Sequence, residues 1–508
     1  MRYGFLIDQR ACIGCHACTV ACKSENQVPL GVFRTWVKYV EKGEFPNTRR
    51  HFLVERCNHC ENAPCVEVCP TTALFKRPDG VVDFDKDRCI GCKSCMQACP
   101  YDAIYIDPET HTAAKCNFCA HRLDVGLQPA CVLVCPEEAI IFGDLDNPTS
   151  RISQLVGRQS VQVRRPEQGT KPKLFYIGAD ETALMPEALP EPLGAMWNEP
   201  PASTGTASPP SSDAWLPHTE HAQVDYNVRH ARPWGWRVSA YLLTKSLASG
   251  LFLVLVALLG LGAAGASVLA TPAVIAALIF LGLTAYLLVV DLKRPERFLY
   301  IVFKPHWKSW LVIGTYILMG YGALLVLWLG LWLFASVWLP LSVLVGIFAV
   351  FTSIYTAFLF GQAEGRDLWQ EPLLPASLLT QAIIAGSAGL VFGVVAASMP
   401  AGLLHLLALI FLGAVLVHAA LITLALIMPH PTANAAWGVH ELLRGKQARQ
   451  FWLGGIVVGV VIPVALLLAA LLASASAPFL TAAAILVLIG LVAYEDAFVR
   501  AGQAAPLS

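Results

Sequence analysis

Residues 12–22 read CIGCHACTVAC and residues 89–100 read CIGCKSCMQACP. Each places three cysteines with two residues between neighbours, then a fourth after three more: Cys12, Cys15, Cys18, Cys22 and Cys89, Cys92, Cys95, Cys99. Two further groups keep that ending, Cys57, Cys60, Cys65, Cys69 as C-x2-C-x4-C-x3-C and Cys116, Cys119, Cys131, Cys135 as C-x2-C-x11-C-x3-C. Pro70, Pro100 and Pro136 follow three of the four last cysteines. A loop with two intervening residues wraps three corners of an iron–sulphur cube, and the fourth thiolate must come from a more distant segment. Zinc also takes C-x2-C pairs, but it explains neither the triple repeats nor the trailing Cys-Pro. The spacing therefore points to iron–sulphur clusters.

Composition agrees with a local chemistry. All 16 cysteines lie between Cys12 and Cys135, and the rest of the 508 residues has none. Core thiols placed by packing alone would be spread along the sequence. Disulfide frameworks belong to small secreted domains, whereas the start, MRYGFLIDQRACIGC, shows neither an apolar signal core nor a twin-arginine pair. With 36 basic and 36 acidic residues, nothing in the net charge suggests nucleic acid as a partner.

Beyond the cysteines the chain divides by composition: a polar cysteine domain over 1–178, a Pro/Ala/Ser-rich linker over 179–232, a very apolar region over 233–500 and a tail over 501–508. The linker has too few periodic apolar residues for a core and too many prolines for long helices. Eight apolar runs in the third region are long enough to cross a bilayer, near 239–261, 272–290, 309–330, 338–360, 376–397, 403–427, 451–472 and 478–498. Loops near 262–272, 331–337, 398–402 and 473–477 carry no Lys or Arg. Cations gather on the other side, among them Arg237, Arg294, Arg297, Lys304, Lys308, Arg366, Arg444, Arg449 and Arg500. The positive-inside rule makes that side cytoplasmic, and with it the cysteine domain, in a multi-pass protein of the bacterial inner membrane. A periplasmic domain exported on a partner's signal, with some cations placed by function, stays open.

The phrases CIGCHACTVAC, CNHCENAPCVEVCPTTAL, CIGCKSCMQACPY and KCNFCAHRLDVGLQPACVLVCPEEAIIFGD together resemble the iron–sulphur subunit of molybdopterin oxidoreductases of the dimethyl sulphoxide and polysulphide reductase kind. The resemblance implies an α+β ferredoxin-like domain of two double-cluster modules. It also implies four 4Fe-4S clusters, held by Cys12, Cys15, Cys18 with Cys135; by Cys22 with Cys116, Cys119, Cys131; by Cys57, Cys60, Cys65 with Cys99; and by Cys69 with Cys89, Cys92, Cys95. The segment DLKRPERFLYIVFKPHWKSW and the ending YEDAFVRAGQAAPLS are similar to quinone-reactive, haem-free membrane subunits of the NrfD type. The whole then looks like a fusion of the two subunits, an all-α polytopic domain of about eight helices following the ferredoxin domain. It would relay electrons between a molybdopterin-containing catalytic subunit and membrane quinone, menaquinone or ubiquinone. Family members often have His where this chain has Asp291.

Haem is not expected, because His405 and His418 fall on one span and cannot ligate from facing helices. Ionisable and polar residues at membrane depth are functional candidates, which selects Lys245, Asp291, Glu296, Gln381 and His418 for quinone or proton chemistry, with Glu495 and Asp496 near the same face. Each has a plainer alternative. Lys245 can snorkel to the headgroups, Glu296 can pair with Arg294 or Arg297, and Gln381 and His418 can bond between helices. Two rival readings remain, a subunit of a proton-translocating respiratory complex and a zinc scaffold on a membrane anchor.

Overall fold

A computed structural model describes residues 1–44, 46–185, 222–334, 339–473 and 476–508. The body of the expected linker, 186–221, lies outside the described residues. The described residues ahead of the membrane region form eleven strands: β1 (Tyr3–Asp8), β2 (Thr35–Lys42), β3 (Arg49–Arg56), β4 (Leu74–Lys76), β5 (Val82–Phe84), β6 (Ile104–Ile106), β7 (Ala113–Lys115), β8 (Ile140–Asp144), β9 (Val161–Gln162), β10 (Leu174–Ile177) and β11 (Ala222–Tyr226). One sheet runs β8-β1-β10-β9, another β11-β2-β3, and β4-β5 and β6-β7 are separate pairs.

The cysteine loops repeat one backbone device. Gly14, His59, Gly91 and Phe118 each sit just before the second cysteine of a group, and all four have positive φ. Only glycine takes that conformation without steric cost, so His59 and Phe118 hold it against their own preference. After the last cysteine, Thr72, Asp102 and Glu138 also have positive φ. Each turns the chain from a Cys-Pro into the strands β4, β6 and β8.

Among the described residues eight long helices follow: α1 (Trp236–Gly260), α2 (Ala266–Asp291), α3 (Trp310–Phe334), α4 (Leu339–Gly361), α5 (Leu374–Ala396), α6 (Ala401–Ile427), α7 (Gln450–Leu472) and α8 (Ala477–Gly502). Their lengths, from 23 to 27 residues, suffice to span the hydrocarbon core. The contacts close two four-helix groups, α1 to α4 and α5 to α8, joined where α1 and α4 meet α5 and where α8 meets α1. α1 and α5 are the most buried, and α3 and α7 the most outward.

Three expectations change in detail. α2 starts at Ala266 rather than near 272, with Pro272 inside its second turn, where the ring forgoes one hydrogen bond to the preceding turn. Residues 222–226, assigned to the linker by composition, form β11 on the free edge of β2. The last span runs on to Gly502, and the tail after it is not loose: Arg164 donates to the Leu507 carbonyl at 2.6 Å and Asn227 to that of Ser508 at 3.1 Å. These are long-range pairings that composition does not report.

Where α1 crosses α5, a Cβ on Gly250 or on Gly386 would run into the backbone of the other helix. Small residues let helices approach in lipid, where apolar burial between them gives no advantage over lipid contact. Gly386→Leu is expected to destabilise the detergent-solubilised protein by about 1–3 kcal/mol, read as a lower thermal midpoint than wild type. An unchanged midpoint would show that this crossing is not close-packed.

Candidate iron–sulphur relay and its membrane dock

All sixteen cysteines are free, and they are buried except for Cys15, which is exposed, and the half-buried Cys12, Cys92 and Cys135. The thiols gather in four sets. Cys12 lies close to Cys15, Cys18 and Cys135. Cys22 lies by Cys116, Cys119 and Cys131. Cys60, Cys65 and Cys99 surround Cys57, and Cys69, Cys89 and Cys92 surround Cys95. Two of these sets line cavities, Cys69, Cys89, Cys92, Cys95 in one and Cys22, Cys116, Cys119, Cys131 in the other.

Among the described residues no three His, Cys, Asp or Glu side chains come close enough to hold a single metal ion. Four thiols to a set is the donor number that a 4Fe-4S cluster requires. Burial and mutual repulsion push the thiols upward, Cys18 to about 11 and Cys92, Cys99 and Cys116 to about 12. Deprotonated sulphurs packed this way need positive charge between them.

The sets also touch in order. Cys18 is near Cys131, Cys116 near Cys57, and Cys65 near Cys95. This gives a row: Cys12 set, Cys22 set, Cys57 set, Cys69 set. Buried cations sit along it. Arg56 donates to the Cys131 sulphur at 3.1 Å and lies over the Phe5 ring at 4.5 Å. Burial works against its charge, but the thiolates of Cys131, Cys116 and Cys18 outweigh it and hold the guanidinium protonated. Lys115 is fully buried, with its Nζ donating to the carbonyls of Val82 and Cys116. Burial first, then Lys115, Lys173 and Arg56, keep His59 neutral, and its Nδ1 accepts the Val82 N–H at 3.1 Å.

The Cys69 set rests on the membrane region. The α2–α3 loop binds its backbone: Lys293 and Arg294 N–H groups reach Gly91 and Ile90 carbonyls at 3.1 Å, and the His306 N–H reaches Pro70 at 3.0 Å. Ser309 Oγ donates to Val68 O at 2.8 Å, and His306 Nδ1 meets Cys69 O at 2.9 Å. Lys93, next to Cys92, is ion-paired with Asp291 at the end of α2 at 2.7 Å. A second anchor centres on Arg366 in the α4–α5 loop. Its Nε donates to Gln97 Oε1 at 2.9 Å and its NH1 to Ala505 O at 3.1 Å, while Gln97 reaches Gln503 at 2.7 Å.

Residues 225–506 match the family described as polysulphide reductase, NrfD. The protein belongs to this family. Residues 11–73 and 48–145 each match a 4Fe-4S dicluster domain. The first third is similar to a tetrathionate reductase subunit of Salmonella typhimurium, 50% identical over 205 residues, which is 39% of this chain and 80% of that protein. It is also similar to a polysulfide reductase chain of Wolinella succinogenes, 44% identical over 179 residues, 35% of this chain and 94% of that protein. The arsenate respiratory reductase iron-sulfur subunit ArrB of a Shewanella species is 37% identical over 225 residues, 35% and 96% of the two chains. Those relatives therefore correspond to the cysteine domain, and the NrfD match to the rest. The protein is an iron–sulphur electron-transfer domain holding 4Fe-4S clusters, fused to a multi-pass NrfD anchor.

Within the NrfD half, the structure separates the residues singled out from sequence. Lys245 does not snorkel. It is wholly buried, donating to Ser353 O at 2.9 Å and Thr356 Oγ1 at 2.8 Å, with Glu495 in electrostatic reach. Asp496 turns elsewhere, bonded to Ser239, Gln450 and Arg500. Asp291 lies against the cysteine domain, paired with Lys93, and Glu296 is exposed and paired with Arg294 at 3.1 Å. Among the described residues Gln381 Oε1, His418 Nδ1 and both Glu495 oxygens are buried without a hydrogen-bond partner, and the His418 ring meets Tyr494 edge-on at 5.2 Å. Sequence reading missed Arg56, Lys93, Gln97, Arg366 and Gln503. For Lys93 and Arg56 a signal existed, a lone cation adjoining a ligand-type cysteine.

Replacing Arg56 by Met removes a positive charge held against the Cys131 sulphur. Reduction of the neighbouring centres should become harder, by tens of millivolts and on the order of 100 mV at most, in a potentiometric titration followed by low-temperature paramagnetic resonance. Unshifted potentials would mean that the charge is fully screened.

Proposed function

We propose that this protein carries electrons between a molybdopterin-containing catalytic subunit and quinone in the bacterial inner membrane, and that its sixteen cysteines, in the four sets above, hold four 4Fe-4S clusters. The supporting observation is the ordered row of thiol sets, which begins at an exposed face and ends against the membrane helices. Bound in those sets, the clusters supply one-electron relay sites. The protein holds them in order, and Arg56 and Lys115 supply positive charge along the way. At the outer end, Ile13, Val20, Leu133 and Val134 are exposed around Cys12, Cys15 and Cys135. An apolar rim around a redox centre suits a docked partner, and the relatives are themselves parts of reductases.

At the inner end, quinone takes up two electrons with two protons, so protonatable groups must stand near the path. Lys245 and Glu495 form one buried pair of this kind. A cleft of about 350 Å³ lined by Glu364, Glu371, His430 and Tyr494 opens beside the cysteine domain. Burial pushes the Glu371 carboxyl up to about 7, so it can carry a proton near neutral pH. Tyr494 lies within electrostatic reach of both Glu371 and Glu495, and the unpartnered Gln381, His418 and Glu495 atoms call for bridging water. These residues make a route for protons toward Lys245. Reduced with dithionite and mixed anaerobically with a short-chain quinone, the full-length protein in detergent should regain its visible absorbance. Lys245→Met should slow this at least about tenfold with the paramagnetic signals intact. Equal rates in both proteins would remove Lys245 from the reaction, and no reoxidation above the quinone-free rate would defeat the quinone assignment.

We place the iron–sulphur domain on the cytoplasmic side. Arg294, Arg297 and Arg366 are explained by bonds to that domain, so they do not count as topology signals. Lys304, Lys308, Arg444 and Arg449 still give the bias. A phosphatase reporter fused after Ser508 should be inactive and a fluorescent cytoplasmic reporter bright; the opposite pattern places the domain outside.

A further inference from the structure

A cleft of about 530 Å³ lies between the underside of the iron–sulphur domain and the segment leading into α1. Its walls come from both sides, Phe33, Met96 and Tyr105 from the domain, and Arg229, His230 and Lys293 from the membrane region. Its charge is one-sided. Lys93 and Arg232 add to the charges of Arg229 and Lys293, and among the described residues the single acidic one in its lining, Asp102, lies 3.5 Å from Arg366.

Two of these cations have a satisfied partner, Lys93 on Asp291 and Arg232 on the Ala504 carbonyl. Arg229 and Lys293 are exposed, and neither side chain has a hydrogen bond or ion pair among the described residues. The His230 Nε2 is buried and has no hydrogen-bond partner among the described residues, although its ring packs on Trp36 at 5.0 Å. Two free cations in a cavity of ligand size favour an anion, and the His230 Nε2 can donate to it in the tautomer that carries the proton there.

The surroundings say which anion. Trp236, at the head of α1, is 62% exposed, as is usual for the aromatic belt at a membrane surface. Arg237 lies over its ring at 5.8 Å and donates to Val290 O near the end of α2. On α2 itself Ile279, Leu283 and Tyr286 are exposed at helical spacing, a lipid-facing stripe leading toward Lys293. Acyl chains lying on that stripe bring a head group to the cationic corner. We propose that the cleft holds the phosphate head group of an anionic phospholipid, seated by Arg229, His230 and Lys293. A bound phosphodiester spans the two domains where protein contacts between them leave a gap.

Native mass spectrometry of the full-length protein in detergent, titrated with phosphatidylglycerol and separately with phosphatidylcholine, tests this. The wild type should retain phosphatidylglycerol in preference to phosphatidylcholine. Arg229→Gln with Lys293→Gln should lose retention by about fivefold per cation removed. Arg229→Lys with Lys293→Arg keeps the charges and should restore it, with cluster absorbance as a check on folding in every variant. Equal retention by the wild type and the double Gln variant would overturn the proposal. So would displacement of the lipid by millimolar inorganic phosphate, or binding of phosphate alone, since either assigns the cleft to a free anion.

Discussion

Crowded buried sulphur governs this molecule. Thiols brought within reach of one another and out of water resist ionisation, as the upward shifts at Cys18, Cys92, Cys99 and Cys116 record. The surrounding backbone is bent to hold them there, with residues as unsuited as His59 and Phe118 in left-handed conformation. Such strain persists only where the environment over-determines it. Iron supplies the missing positive charge, and protein cations extend that logic outward: Arg56 and Lys115 along the row, Lys93 at its membrane end. Most of the cysteines share one buried cluster with apolar side chains such as Val37, Leu53, Val68 and Leu74, so the cofactor ligands and the core of the domain are the same region.

The same logic explains how the two halves hold each other. The last set of cysteine loops offers backbone carbonyls at Val68, Cys69, Pro70, Ile90 and Gly91, and the α2–α3 loop supplies the donors. Hydrogen bonds to main chain are insensitive to which side chains flank the cysteines. A fixed loop shape is enough for docking, so this interface would tolerate sequence drift around the ligands. A long, solvent-facing ion pair joins Arg297 to Asp87 at 4.0 Å, and two closer ones join Lys93 to Asp291 and Arg366 to Asp102. The closer two are partly or wholly withdrawn from water, where an ion pair fixes geometry more than it adds stability.

Much of this was legible in the residues. Cysteine spacing separates four groups without any fold information, because two intervening residues set a local geometry that survives any tertiary context. Eight spans follow from hydropathy, since lipid imposes one length on all of them. What could not be read has a common cause. β11, Gln97 with Gln503, and Arg366 with the tail carbonyls join positions far apart in sequence, and nothing local in either partner announces the other. Lys245 and Asp291 looked like neighbours on one face, yet Asp291 is drawn off by Lys93 from the other domain. Charge bias across the loops also mixed two causes, membrane topology and docking, which only contact geometry separates.

The tail beyond α8 bears on how such a protein is made. Gln503, Ala505 and Leu507 clasp Gln97, Arg366 and Arg164, so a domain synthesised early is secured by residues synthesised after the eighth span. The α2–α3 loop is made well before that and can already bind the Cys69 set, whereas the clasp closes only when the ribosome has passed the last helix, so the two anchors between wire and membrane form in sequence.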